Sequence, residues 1–496
     1  QSAGPQARPP RKGETHMTDL TFFKTKFHIY PESIHHSGDL TCFLIDAGDR
    51  DRLCVAGQDP AFPGEPRSQS GYAYTVSELD HAAAVFLRNR FPFCAPASVL
   101  DRKTTFGAGD RLGLAGPGLL RVFQEYDVFP VLAQQSVREL TMTRRTMDDV
   151  VDSATFAVFR AGFHRGFGVD GDHLKNLEEV RDALSRGCTM ITLDCSDFLD
   201  NAAGALPDEE LEARQAVDET LRKRYLDRLF ELGPRTVLSY DLPGLRRIAA
   251  VYGSAIDFIC RVYRDCILPC GREVDLEISL DETLTVTSPL AHCFVSSELK
   301  IRGVRFVTVA PRFSGEFQKG IDYIGDPEVL REEVQAHHDI AQYFGYKLSF
   351  HSGSDKFSVF PILSGETQGR FHIKTSGTNW LEALRVLAER EPALFRRMYG
   401  VAQATFAENR RFYHVTPDLS AIPDVAALGD EALPGLLDQT ATRQMLHISY
   451  GKILEDEDLK ARLYHALREH RHAYSDALYR HIGRHVQTLG IPRRPR

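Results

Sequence analysis

The 496-residue sequence has no apolar run approaching the roughly 18 to 20 positions a membrane-spanning helix requires, and its amino end lacks the charged-then-apolar pattern of a secretory signal. Neither a membrane span nor export is expected. There is no basic excess either: 60 Lys and Arg stand against 68 Asp and Glu, a formal net charge of −8. That excludes nucleic acid and anionic membrane as partners drawn by bulk charge, and the closing Arg493-Arg-Pro-Arg496 reads as a short solvated tail. The nine cysteines are odd in number and show no CxxC spacing. Cys266 and Cys270, four apart on an expected helix, read as core-facing thiols before a metal clip, and the pattern as a whole suits a reducing cytoplasm.

What is present is an ordinary globular composition, 43% hydrophobic and 26% charged, enough for one large domain with additions or for two to three domains. Residues 1–16, rich in Pro, Gly, Gln and Arg and ending before Met17, read as a leader outside the fold. Residues 17–100 carry short apolar stretches such as Cys42-Phe-Leu-Ile45, broken at Gly38-Asp39 and Gly48-Asp49. These are hairpin or meander signals, followed by a helical stretch around Val76 to Arg90.

From Arg102 the texture becomes an alternation of short apolar runs and helical stretches. The runs are Thr104 to Phe106, Val128 to Leu132, Gly166 to Val169, Met190 to Leu193, Val274 to Ile278, Arg305 to Val309, Lys347 to Phe350 and Phe371 to Lys374. Between them, Pro207-Asp-Glu-Glu opens a long expected helix with Leu221, Tyr225 and Leu229 at helical spacing. Asp326-Pro327 is an N-cap with proline at the first helical position, and Gly345 closes that helix. Strands alternating with helices give a parallel sheet, and eight such units predict an α/β fold of the (β/α)8 TIM-like barrel type over 101–390, with a doubly wound sheet as the alternative. An N-terminal β-containing extension precedes it, and residues 391–496 form a helical C-terminal extension that serves as a cap or an oligomer contact.

A barrel puts its chemistry at the C-terminal ends of its strands. The polar residues there are Asp110, Gln134, Asp172 with His173, Asp194, Glu277, Arg312, His351 and Lys374. Asp172-His173 stands in Arg165-Gly-Phe-Gly-Val-Asp-Gly-Asp-His-Leu-Lys175, a strand running into a loop with a helix expected from about Leu174. There Asp172 is either a base beside a metal-ligating imidazole or simply that helix's cap. Glu277 interrupts an apolar strand, where a carboxylate is costly unless paired or functional. His351 is a core histidine or a ligand. Two histidines and two carboxylates at strand ends fit a metal site with acid/base partners. Gly107-Ala-Gly-Asp-Arg-Leu-Gly113 has GxGxxxG rather than GxGxxG spacing, and the next strand ends in Gln134-Gln135, where an acidic ribose partner would stand in a dinucleotide site. His372-Ile-Lys-Thr-Ser-Gly377 is an anion-binding loop or an ordinary strand-to-helix turn.

Four runs in order, Phe167-Gly-Val-Asp-Gly-Asp-His-Leu-Lys175, Gly315-Glu-Phe-Gln-Lys-Gly-Ile-Asp-Tyr-Ile-Gly-Asp326, Ser349-Phe-His-Ser-Gly-Ser-Asp-Lys-Phe357 and His372-Ile-Lys-Thr-Ser-Gly-Thr-Asn-Trp380, resemble the tagaturonate epimerase family, which interconverts tagaturonate and fructuronate. The resemblance spans about Arg102 to Leu454. It implies Asp172 as proton acceptor, Glu277 as proton donor, and His173, Gln318 and His351 as ligands of a divalent metal; Gln318 is aligned on its Phe-x-Lys-Gly pattern.

The two sugar acids differ at a hydroxyl-bearing carbon β to the ketone, whose C–H simple enolisation does not acidify. The routes left are transient oxidation by a nicotinamide, which the departure from GxGxxG speaks against, and retro-aldol cleavage with re-addition to the other aldehyde face. The second calls for a Lewis acid and two acid/base groups on opposite faces. The substrate carboxylate calls for a cation, with Lys374, Lys356 and Arg312 as candidates. Two imidazoles and an amide accept Zn, Mn, Ni or Co. A metal-dependent aldolase or keto-sugar isomerase on the same site, or a non-catalytic sugar-acid binding protein, are the alternatives.

Overall fold

The computed structural model describes residues 20–281, 283 and 285–495, which divide into two compact units. The first comprises 20–95 and 155–164 and is built on a six-stranded antiparallel sheet. Its strand Leu40–Asp46 pairs with Asp51–Ala56 through a turn at Gly48, and side chains alternate across it. Leu40, Cys42 and Leu44 face Phe86, Leu87 and Phe159, while Phe43 and Ile45 face Phe23 and Tyr74. The hairpin expectation describes this unit well. Its helix is shorter than expected, His81–Arg90, because Val76 belongs to the strand Tyr72–Glu78 and the Asp80 carboxylate caps the helix by accepting from the Ala83 amide.

The second unit comprises 96–154 and 165–495 and contains a closed parallel barrel. In chain order its strands are Thr104–Ala108, Phe129–Ser136, Gly168–Leu174, Met190–Asp194, Asp275–Ser279, Thr308–Ala310, Lys347–Phe350 and Phe371–Thr375. The eighth pairs with the first from Phe371 opposite Thr104 to Thr375 opposite Ala108, which closes the ring. The barrel, not the doubly wound sheet, is the fold, and each of the eight apolar runs overlaps one of its strands, the sixth only at Thr308 and Val309. Val169, Ile191, Leu276, Val309, Leu348 and Ile373 are buried hydrophobic members of these strands, whereas Asp170, Thr192, Glu277, Thr308, Lys347 and Lys374 are buried polar ones. Barrel interiors are ordinarily apolar; this one is filled with hydrogen-bonded polar groups. Asp275 accepts from the amides of Val99 and Leu100, and the Lys347 ammonium donates to Arg102 O and Thr105 Oγ1.

Two local expectations are corrected. The long helix from Pro207 is two short ones, Asp208–Arg214 and Glu219–Tyr225, because Asp218 caps the second by accepting from the Leu221 amide; Leu229 lies outside both and is exposed. The third strand does not stop at Val169 but runs through Asp172 and His173 to Leu174, and the next helix, Leu177–Ser185, is capped by Asn176. Asp172 is therefore not the cap. The helix from Pro327 does start at the Asp326 cap and end at Gly345, which is left-handed at φ +80°.

Beyond the eighth barrel helix, Thr378–Arg390, the chain is helical, with Pro392–Asn409, Thr440–Ile448, Glu457–Glu469 and Arg471–Thr488 packed in the barrel unit. Buried polar bonds fasten them: Trp380 Nε1 donates to Leu446 O, Arg111 to His447 O, and the Tyr474 hydroxyl to Asn379 O.

Candidate active site

A cavity of about 520 Å³ is lined by Asp172, His173, Gln318, His351 and Lys374, which come from the carboxyl ends of four barrel strands or the loops beyond them. At its base lies Lys374, 3% exposed, on the eighth strand. Its ammonium donates to Asp170 Oδ2 at 2.7 Å, Asp172 Oδ1 at 2.5 Å, Thr192 Oγ1 at 2.5 Å and Glu277 Oε1 at 3.3 Å. Burial works against the charge on this lysine, but the three carboxylates outweigh burial and hold its pKa above the ordinary lysine range.

The carboxylates respond unequally. Burial would raise Asp172, yet Lys374 and His173 bring it down to about 2. Glu277, also opposed by burial, is held well below the usual range by Lys374 and His351; its Oε2 accepts from Thr308 Oγ1 at 2.8 Å. Asp170, buried behind Asp172, is pushed up to about 6 by burial, which Lys374 offsets in part.

The histidines stand on the cavity side of this cluster, with ring centroids 5.2 Å apart. His351 Nε2 is 2.7 Å from Glu277 Oε1, and its Nδ1 is 3.1 Å from Asp281 Oδ2. His173 Nε2 is 3.7 Å from Asp172 and its Nδ1 3.8 Å from Asp194. Burial lowers the affinity of His351 for a proton, but Asp281 and Glu277 reverse this and hold its pKa at about 10. His173 adopts φ +54°, a left-handed conformation unusual for a non-glycine residue.

This donor set fits a divalent cation. The Nδ1 atoms of both histidines are buried and face carboxylates, Asp281 and Asp194, and with Asp172 and Glu277 on the Nε2 side four carboxylates surround the two rings. A group of side chains that concentrates negative charge around two imidazoles holds either protons or a metal there. A second group of ligand types, Asp355, His481 and His485, has its ligand atoms within 4.8 Å of one another. Two of its members are engaged, since His485 Nε2 accepts from the Asp355 amide, His485 Nδ1 donates to His481 O and Arg443 pairs with Asp355 at 2.7 Å, while His481 Nε2 stands 3.3 Å from Asp355.

The other expected residues fall differently. Gln318 lines the cavity, but its carbonyl oxygen accepts from the Thr416 amide and from Gln444, and its amide nitrogen donates to Thr416 and Glu316. Arg312 lines the cavity and donates to Thr283 O. Lys374 is spent on three protein carboxylates and so is not a free cation for substrate. Lys356 is fully buried, driven down to about 7 by burial, and donates to the carbonyls of Gln318, Ile321 and Ser354; it braces a loop instead of facing the cavity. Asp110 caps its own loop by accepting from the amides of Leu112, Gly113 and Ala115. Asp170 and Asp281 were not singled out above. Asp170 was legible, since it is two residues before Asp172 and so on the same face of one strand. Asp281 lies past its strand's end and carries no periodic signal.

Fold and cavity define a (β/α)8-barrel enzyme. A family model described as tagaturonate epimerase matches residues 30–489, and the chain belongs to that family. It is 39% identical over 476 residues to a tagaturonate/fructuronate epimerase of Thermotoga maritima, covering 94% of this chain and 98% of the relative. Crystal structures of fructuronate-tagaturonate epimerase from Cohnella laeviribosi superpose with a TM-score of 0.91, over 95% of this chain and 98% of theirs. The identity is 42% for a complex with one glycerol and 41% for the native form.

Proposed function

We propose that this enzyme interconverts tagaturonate and fructuronate by breaking and remaking the C–C bond between the carbons α and β to the ketone, with Asp172 and Glu277 as the acid/base pair. The observation that supports the reading is the meeting of these two carboxylates, from the third and fifth strands, on one buried ammonium beside two histidines whose Nδ1 atoms face further carboxylates, Asp194 and Asp281.

Asp172, ionised down to about pH 2, takes the proton from the β-hydroxyl. The O–H electrons form the aldehyde carbonyl, and the C–C bonding pair passes to the ketone as an enediolate. After the aldehyde half turns, the bond re-forms on its other face and Glu277 returns a proton to the new alkoxide. Both carboxylates start ionised, so the proton that Asp172 takes is the one that Glu277 returns, and in the opposite direction the roles exchange. Lys374, bonded to both, gives that proton a hydrogen-bonded route from Asp172 to Glu277 before the new alkoxide takes it up. His173 and His351, with Asp281 as an oxygen donor and with Gln318 if it were released from Thr416 and Gln444, would hold a divalent ion, which would supply Lewis-acid polarisation of the ketone and charge stabilisation.

Incubation of the purified enzyme with tagaturonate is expected to yield fructuronate at a common equilibrium ratio from either side. Three-carbon products without fructuronate would instead identify an aldolase. Chelation is expected to abolish turnover and added Zn, Mn, Ni or Co to restore it, while His173→Ala and His351→Ala bind at least about tenfold less metal. Full activity in protein shown to be metal-free by elemental analysis would remove the metal from the proposal.

A further inference from the structure

The proposed substrate carries a carboxylate, yet the first two cations expected to meet it are engaged elsewhere. Lys374 is bonded to three protein carboxylates and Lys356 to three carbonyls. Among the other cations on the cavity, Arg111 pairs with Glu139 at 2.9 Å, Lys175 with Asp197 at 3.1 Å, Arg138 donates to Phe412 O at 2.9 Å, and Arg312 donates to Thr283 O. Lys319 differs from all of them. It is half-buried on the cavity wall, and among the described residues its ammonium makes no ion pair and no hydrogen bond.

Its backbone, by contrast, is fixed on both sides. The carbonyl of Gln318 accepts from Lys356 at 2.9 Å and that of Gly320 from Arg443 Nε at 2.8 Å, both from outside the loop, and Gly320 takes φ +77°. The Gln318 amide is tied to Thr416 and Gln444. A loop held by buried charged and amide groups while the one lysine at its tip is left unpaired is a loop that presents that lysine to something absent from the protein itself. Its surroundings favour an anion. His447 packs against both Gly320 and Gly377, which brings the Lys319 loop beside the amino end of the helix Thr378–Arg390, where no side chain caps the free amides. Ser376, at that end, lines the same cavity.

Resting on the function proposed above, we propose that Lys319 receives the carboxylate of the hexuronate and is the residue that selects a sugar acid over the neutral ketose. In a retro-aldol cleavage the carboxylate stays with the aldehyde half. The contact then does a second job, keeping that half in the cavity while its other face turns to the enediolate.

The test compares Lys319→Met and Lys319→Arg with the wild type on tagaturonate and on the ketohexose that bears a hydroxymethyl group in place of the carboxylate. Lys319→Met is expected to raise KM for tagaturonate about tenfold or more, since a charge-assisted contact is lost, and to lower the kcat/KM preference for the acid over the neutral sugar by a similar factor. Lys319→Arg is expected to recover most of that preference. More three-carbon aldehyde acid should also escape from Lys319→Met and be trapped by an aldehyde reagent. Equal losses on both sugars, or an unchanged KM for the acid, overturn the assignment while leaving the epimerase activity standing. If the wild type produces no fructuronate, the function fails first. Calorimetric binding of tagaturonate then decides on the lysine: weaker binding to Lys319→Met supports it, and equal binding or none by either protein overturns it.

Discussion

Lys374→Met is expected to lose both turnover and several kcal/mol of stability. The ammonium is 3% exposed and bonds to Asp170, Asp172 and Glu277, so its removal leaves three buried carboxylates without the cation that offsets their desolvation. Breaking a buried pair in this way costs about 3 to 5 kcal/mol, because the partners remain charged in a poorly hydrated interior. The carboxylates can relieve part of that cost by taking up protons, which disables the base: Asp172 owes its low pKa first to Lys374 among the groups that lower it. Turnover is expected to fall by at least about 10³-fold, combining a protonated base with the lost relay. Urea unfolding and kcat measured on the same preparation check this. A variant whose urea midpoint matches that of the wild type and that keeps its kcat would show that the lysine is neither the electrostatic centre nor the relay.

Asp172→Asn and Glu277→Gln are expected to lower kcat by about 10² to 10⁴ with small changes in KM, the range for removing one general acid/base group. The kcat/KM of the two directions must fall by the same factor in each variant, since the overall equilibrium is unaffected. The stability effects should differ. Asp172 borders the cavity and shares its cation with two other carboxylates, so the neutral amide is tolerated. Glu277 is fully buried, accepts from Thr192 and Thr308, and stands 2.7 Å from His351, so an amide there turns an N–H towards one of these donors. Glu277→Gln is therefore expected to be the less stable of the two. A kcat within tenfold of wild type for either one would remove that residue from the acid/base pair.

The barrel was legible because its strands are short apolar runs that alternate with helical stretches, and its outward positions follow the period of two that burial against helices imposes. The Asp326 and Gly345 boundaries were legible because capping is local chemistry within four residues. The helix expected from Leu174 failed for the same reason in reverse: Asn176 is the better-placed cap, and parallel pairing with the neighbouring strands keeps the chain extended through His173.

Residue type and position by themselves determined that Asp172, His173, Glu277 and His351 lie at or beside the carboxyl ends of strands in one barrel, because strand order and side-chain alternation convert sequence position directly into place. Which cation serves which anion was decided only by the tertiary structure. Lys374, Lys356 and Lys319 are alike as letters in a chain. Packing encloses the first among three carboxylates, turns the second onto three carbonyls, and leaves the third on the cavity wall with no ion pair or hydrogen bond among the described residues. The role of a lysine follows from the partners that desolvation forces upon it, and those partners come from strands and loops far apart in sequence.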